Sequence, residues 1–79
     1  MRLRLYLTFD EESVTRPLIW QLARDFEIVT NIRTAEVKEH MGLVGLELEG
    51  ESQTLESGIA WLKSQGVRVE PIEQDVIEG

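Results

Sequence analysis

The side chains that could do chemistry in this chain are few and far apart. His40 is the only histidine and cysteine is absent, so there is no second nitrogen or sulfur ligand to complete a tetrahedral metal site. The run Asp10-Glu11-Glu12 lacks the alternating oxygen ligands and the glycine of a calcium loop. We interpret both features as solvated turns, and the sequence predicts no enzyme activity, no metal site and no cofactor.

Asn31 and Arg33 are the residues whose chemistry best suits a small polar ligand. The amide of Asn31 can donate and accept hydrogen bonds, and therefore meets both the carboxylate and the ammonium of an amino acid. Arg33 can bind a carboxylate through two parallel hydrogen bonds. In the alternative interpretation, Asn31 only satisfies nearby backbone groups and Arg33 is solvated or ion-paired.

Trp20 and Trp61 are candidates for an interface. Each lies off the main apolar stripe of its predicted helix, and large aromatic residues with one polar atom are enriched where proteins meet. The alternative is a position at the flank of the hydrophobic core. The sequence leaves both interpretations open.

Composition limits the class of partner. Eight basic against 15 acidic residues give a formal charge of −7, which repels phosphate backbones and anionic lipid headgroups. No apolar run approaches the length of a membrane-spanning helix, and the N-terminus lacks the apolar block of a signal peptide. We therefore expect a cytoplasmic protein with no nucleic-acid partner and no membrane insertion.

Small size predicts self-association. A domain of 79 residues buries only about 60% of the surface that its unfolded chain exposes. Disulfides are excluded by the lack of cysteine, so association is the remaining aid to stability. We expect a homodimer.

Hydrophobic periodicity predicts the elements that hold these residues. Residues 2–9 alternate strictly in polarity, as in a half-buried strand, whereas residues 15–26 and 52–65 repeat their apolar positions at helical spacing. Ser13 or Thr15 is the expected cap of the first helix. The remaining predicted strands are residues 28–39, a segment containing residues 43–48, and residues 67–70.

Along the second strand the apolar residues switch from even-numbered positions (Ile28 and Ile32) to odd-numbered ones (Ala35 and Val37). This switch predicts a β-bulge near Arg33 or Thr34. A tight turn at Met41-Gly42 would pair Glu39 with Val44, and a shift by one residue would bury Lys38. The register that this argument favours also pairs Val37 with Leu46 and Ala35 with Leu48.

The order strand, helix, strand, strand, helix, strand predicts an α+β fold of the ferredoxin-like type. Its sheet has four antiparallel strands, with both helices on one face. We expect one domain over residues 1–72 and a flexible acidic tail over residues 73–79.

A set of positions spread over nearly the whole chain carries a family resemblance. The set comprises Phe9, Pro17-Leu18-Ile19, Phe26, Asn31-Ile32, Val37, Leu46-Glu47-Leu48-Glu49-Gly50, Ile59, Leu62 and Gly66-Val67-Arg68-Val69-Glu70. At these positions the chain resembles the NIL domain family, ferredoxin-like domains related in shape to ACT regulatory modules. It departs from the family's Asn-Ile-Leu motif at Arg33 and from a common glycine at Ala35.

In methionine-importer ATPases, the resemblance implies a dimerising, methionine-sensing domain whose pocket lies near the subunit interface. It therefore implies that Asn31, Ile32 and Arg33 bind ligand here, where the guanidinium of Arg33 could remodel or close an otherwise apolar pocket. We expect a non-catalytic, ACT-like module that senses an amino acid such as methionine. The alternative is an adaptor without a small ligand, which docks on an unidentified protein through its sheet.

Overall fold

Strands and helices follow one another in the predicted order. The structure, a computed structural model, describes residues 1–72, so the predicted tail at residues 73–79 lies outside the described residues. Within residues 1–72, the strands form one antiparallel sheet in the order β2-β3-β1-β4, which confirms the ferredoxin-like α+β architecture. The elements are β1 (Arg2–Phe9), a 3-10 turn (Ser13–Thr15), α1 (Leu18–Phe26), β2 (Val29–Val37), β3 (Gly42–Glu49), α2 (Ser52–Ser64) and β4 (Arg68–Pro71).

The hydrophobic core lies between the two helices and one face of the sheet. Alternation in β1 sends Leu5, Leu7 and Phe9 to this face, and the side chains between them to the open face. The helices contribute apolar positions three to four residues apart, as one buried helical stripe requires. The buried core residues are Leu5, Leu7, Phe9, Leu18, Leu22, Ile28, Val44, Leu46, Leu48, Leu55, Leu62 and Val67.

Helix α2 is held close to its neighbours and ends as predicted at a glycine. A Cβ atom on Gly58 would lie 2.7 Å from Cδ1 of Ile28 and 2.9 Å from Cδ1 of Leu22, so a larger residue here would displace the ends of both side chains. Gly66 has φ +91°, a conformation that disfavours other residues. The N–H groups of Gly66 and Val67 donate to the carbonyls of Lys63 and Leu62, which is the Schellman arrangement.

Helix α1 begins later than the predicted residue 15. Pro17 disfavours helical geometry in the preceding residue, and Arg16 is accordingly extended, with φ −103° and ψ 143°. Ser13 therefore starts a separate 3-10 turn and does not cap α1. Its N–H donates to Oδ1 of Asp10 at 2.8 Å, and its hydroxyl accepts from the N–H of Asp10 at 2.9 Å.

The predicted register between β2 and β3 is wrong, whereas the predicted bulge is confirmed between Ile32 and Thr34. The connection spans residues 38–41, closed by the N–H of Lys38 donating to the carbonyl of Met41 at 2.8 Å. Lys38 thus lies in the exposed turn. The argument that a shifted register would bury Lys38 therefore cannot distinguish one register from another. The observed pairs include Thr30 with Leu48, Ile32 with Leu46, Ala35 with Val44 and Val37 with Gly42.

Strand β2 is an edge strand that the helices leave uncovered. Ile32 and Val37 point to the helix side of the sheet, because they pair with core-facing residues of β3. Their exposures are nevertheless 54% and 63%, against 1% for Leu46. Apolar side chains of β2 therefore face solvent on the side where β3 is buried.

Candidate functional site

A groove of about 330 Å³ lies on the open face of the sheet, across β1, β3 and β2. Its floor is Gly45, because a Cβ atom there would lie 2.7 Å from Oγ1 of Thr34 and 3.5 Å from Cε1 of Tyr6. The missing side chain leaves space between the neighbouring strands. The groove is lined by Arg4, Tyr6, Arg33, Thr34, Gly45, Leu46 and Ile72.

Two arginines share one carboxylate beside this groove. Oε2 of Glu47 lies 3.5 Å from Nε of Arg4, and its Oε1 lies 3.8 Å from Nη1 of Arg33. The Glu47 side chain is only 14% exposed, whereas the two guanidinium side chains are about half exposed. Both cations can therefore reach an incoming anion without leaving the carboxylate that orients them.

The predicted ligand-binding residues are divided between the two faces of the sheet. Arg33 lines the groove, and Asn31 lies on the same face because it pairs with Glu47. Ile32 pairs with Leu46 and points to the helix side. The bulge causes this arrangement, because it sets both Arg33 and Thr34 on the open face.

Sequence reasoning missed Arg4, Gly45 and Glu47 as parts of the site. The alternation of β1 places Arg4 on the open face, which is a signal available from the sequence. The role of Glu47 depends on the register: the predicted pairing sets it opposite Glu36, and the observed one sets it opposite Asn31.

The two tryptophans occupy different environments. Trp20 is 57% exposed on α1, and Cζ of Arg24 lies 4.4 Å from the centre of its ring, a cation–π contact. Trp61 is partly buried and packs against Phe26, with ring centroids 5.7 Å apart. The core-flank interpretation fits Trp61, whereas Trp20 presents its surface to solvent; an interface role for either remains a prediction.

A second cavity, of about 230 Å³, lies on the helix side, between the start of α1 and the end of the β2–β3 hairpin. Its walls are mainly apolar and include Pro17, Trp20 and Val37. The uncovered side of β2 therefore continues into a notch beside the exposed tryptophan.

His40 lies in the exposed β2–β3 turn, where Nδ1 is 3.2 Å from Oε2 of Glu11 and Nε2 is 3.7 Å from Oε1 of Glu39. No group of three His, Cys, Asp or Glu side chains among residues 1–72 is arranged to hold a metal ion. Over the same residues, neither helix has the length and apolarity needed to cross a membrane.

The fold and the open-face groove define a small ferredoxin-like domain built around a sheet with one covered face. The sequence model of the NIL domain matches residues 3–71, and the chain belongs to the NIL domain family.

Curated relatives and a solved structure agree with this assignment. The chain is 34% identical over 70 residues to the methionine import ATP-binding protein MetN of Escherichia coli strain K12 and to that of Shigella flexneri serotype 5b. These matches cover 84% of this chain and only 20% of each relative's length.

The C-terminal domain of an ABC transporter ATP-binding protein from Enterococcus faecalis has the same fold. Its TM-score is 0.79 at 22% identity, with 92% of this chain and 86% of that chain covered. The similarity is thus to a small domain and not to a whole ATP-binding protein.

Proposed function

We propose that this chain is a non-catalytic, cytoplasmic regulatory module that binds an amino acid in the open-face groove and acts as a dimer. The observation that carries the proposal is the meeting of Arg4, Arg33 and Glu47 above the bare backbone of Gly45. Membership of the NIL family and the relationship to methionine import proteins support a ligand-binding role.

The groove offers complementary groups to a zwitterion. The guanidinium groups of Arg33 and Arg4 provide donors for a carboxylate, and Glu47 provides an acceptor for an ammonium. Tyr6 and Ile72 supply surface for an amino-acid side chain beside these charges. This division of roles requires the ligand's two charged groups to lie over Gly45, where no protein side chain competes for the space.

The test is calorimetric titration of the chain with methionine and a panel of other amino acids. Arg33→Leu removes a carboxylate donor of the groove and should weaken the binding of every amino acid. Asn31→Ala should weaken binding less, because Asn31 pairs with Glu47 beside the groove and does not line it. Saturation at 100 times the dissociation constant should stabilise the fold by about 2.7 kcal/mol.

Arg68→Leu is the matched control, because it removes an equally charged residue of the open face that does not line the groove. It should leave the affinity unchanged. Neither arginine substitution should cost more than about 1 kcal/mol of folding stability, since both arginine residues are exposed on the open face of the sheet. If no amino acid binds to the wild type at about millimolar concentration, about −4 kcal/mol of binding free energy, the sensing proposal fails and the adaptor alternative replaces it.

A further inference from the structure

The charged side chains at the open-face groove do not balance one another. Arg4 and Arg33 line the groove, and one carboxylate, that of Glu47, lies between them. Its distances of 3.5 Å and 3.8 Å to the two guanidinium groups exceed the length of about 2.7–2.9 Å of a close charge-assisted hydrogen bond. Both cations therefore keep donors for a ligand, and the three groups carry one positive charge in excess.

The neighbouring ion pair on the same two strands is balanced. Arg2 pairs with Glu49 in the register of β1 and β3, and Nη2 of Arg2 lies 3.9 Å from Oε1 of Glu49. This pair has one cation and one anion, and both side chains are more than half exposed. The excess positive charge thus lies at the groove, in a chain whose formal charge is −7.

The groove offers little surface to an apolar ligand side chain. Leu46 lines it but is only 1% exposed, and Gly45 has no side chain. Ile72 is the aliphatic side chain that remains, beside the exposed ring of Tyr6. Pockets for apolar ligands are lined predominantly by hydrophobic side chains. These walls suit instead a short run of methylene groups that ends in a polar group.

We infer that the amino acid bound in this groove is an acidic one, with a side-chain carboxylate as in glutamate or aspartate. The inference rests on the proposed function and deepens it, because it names the class of ligand. Arg33 binds the α-carboxylate, Glu47 the ammonium and Arg4 the side-chain carboxylate. A ligand of charge −1 balances the excess positive charge, which an uncharged amino acid such as methionine does not.

The α-carboxylate belongs at the β2 end of the groove. Gly45 pairs with Thr34 directly after the bulge, and its bare backbone lets the α-carbon of a ligand approach the sheet without meeting a side chain. From this position the α-carboxylate faces Arg33. The ammonium faces Glu47, whose carboxylate can accept about four hydrogen bonds.

The side-chain carboxylate belongs at the β1 end, where Arg4 and Tyr6 share one face. The N–H of Ile72 donates to the carbonyl of Arg4 at 2.9 Å, which places both walls for the methylene groups beside this arginine. The two carboxyl carbons of glutamate are about 5 Å apart when four carbon–carbon bonds are extended. Hydrogen bonds of about 2.8 Å at each end let such a ligand reach two guanidinium groups that flank one carboxylate.

Calorimetric titration with each acidic amino acid and its amide tests this class of ligand, because the two members of a pair differ in one charge and have nearly the same shape. At least one of glutamate and aspartate should bind to the wild type about fivefold more tightly than its amide, the upper end for an ion pair at a half-exposed site. Arg4→Gln should remove this preference by weakening the acid and not the amide. Arg33→Gln should weaken both equally, since both contain the α-carboxylate.

Arg2→Gln is the matched control. It removes the same charge from the same strand and face, and Arg2 does not line the groove. A preference that came only from the general field of the protein would fall in this variant as well. The variant should instead keep the fivefold preference of the wild type.

The outcomes separate the inference from the proposed function. Binding of amino acids without a preference for either acid over its amide would overturn the inference and leave the groove an amino-acid site. The inference is overturned equally if the preference persists in Arg4→Gln, or if Arg2→Gln loses as much of it as Arg4→Gln does. If the wild type binds no amino acid of the panel, the proposed function itself fails.

Discussion

Strands β3 and β2 lie side by side and pair along their lengths, yet they serve the fold differently. Val44, Leu46 and Leu48 of β3 are buried beneath the helices. On β2, Ala35 and Ile32, which pair with Val44 and Leu46, are exposed, and Thr30, which pairs with Leu48, is half-buried. A strand can thus be fully hydrogen-bonded to a sheet and still contribute little to its core.

This contrast assigns folding stability and ligand recognition to different strands. Burial of apolar surface is the main source of folding free energy, so β3 is expected to carry stability, whereas β2 is free to carry polar and interface residues. Arg33 and Asn31 follow this division: they lie on the strand whose side chains the core does not constrain.

The largest effect should distinguish the two members of one cross-strand pair. Leu46→Ala removes side-chain atoms that are 1% exposed and should cost about 2–5 kcal/mol of unfolding free energy. Ile32→Ala, directly opposite on β2, should cost less than about 1 kcal/mol. Urea unfolding measures both losses. Equal losses from the two substitutions would contradict the contrast, because they would mean that β2 is part of the core.

A smaller effect is expected at Gly45, where β3 meets β2. The Cβ atom of Gly45→Ala would displace the hydroxyl of Thr34 and fill the groove floor. Ligand affinity should fall about tenfold, or about 1.4 kcal/mol, with a smaller change in stability because a surface hydroxyl can rotate away. Gly42→Ala makes the same change at the other end of β3 and should leave affinity unaltered. An unchanged affinity in Gly45→Ala would show that the ligand does not bind in this groove.

The sequence alone was sufficient to predict an element wherever one strong local signal was present. Strict alternation of apolar and polar residues predicted β1. The switch of the apolar residues of β2 from even-numbered to odd-numbered positions predicted the bulge. The register could not be obtained, because the connection at residues 38–41 contains none of the Asn-Gly or Asp-Gly signals that define a short hairpin. Glu47 was missed for the same reason, since its proximity to Arg33 exists only in the observed register. The late start of α1 was, in contrast, readable from Pro17.

The smallest effect concerns the 3-10 turn that precedes α1. The backbone N–H of Ser13, and then its hydroxyl, donate to the carboxylate of Asp10, each at 2.8 Å, and these hydrogen bonds lower the pKa of Asp10 below its ordinary value of 3.8. A carboxyl group with a lowered pKa in the folded state stabilises the fold above the pKa of the unfolded chain. The stabilisation is lost as pH falls through the folded value.

The stability difference between the wild type and Asp10→Asn should therefore be constant from about pH 7 to about pH 5 and should shrink toward about pH 2. Thermal unfolding across this range measures it. Ser13→Ala removes the hydroxyl donor and keeps the N–H, so the pH dependence should be reduced without disappearing. A difference that stays flat from about pH 7 to about pH 2 would show that these hydrogen bonds do not favour the ionised carboxylate.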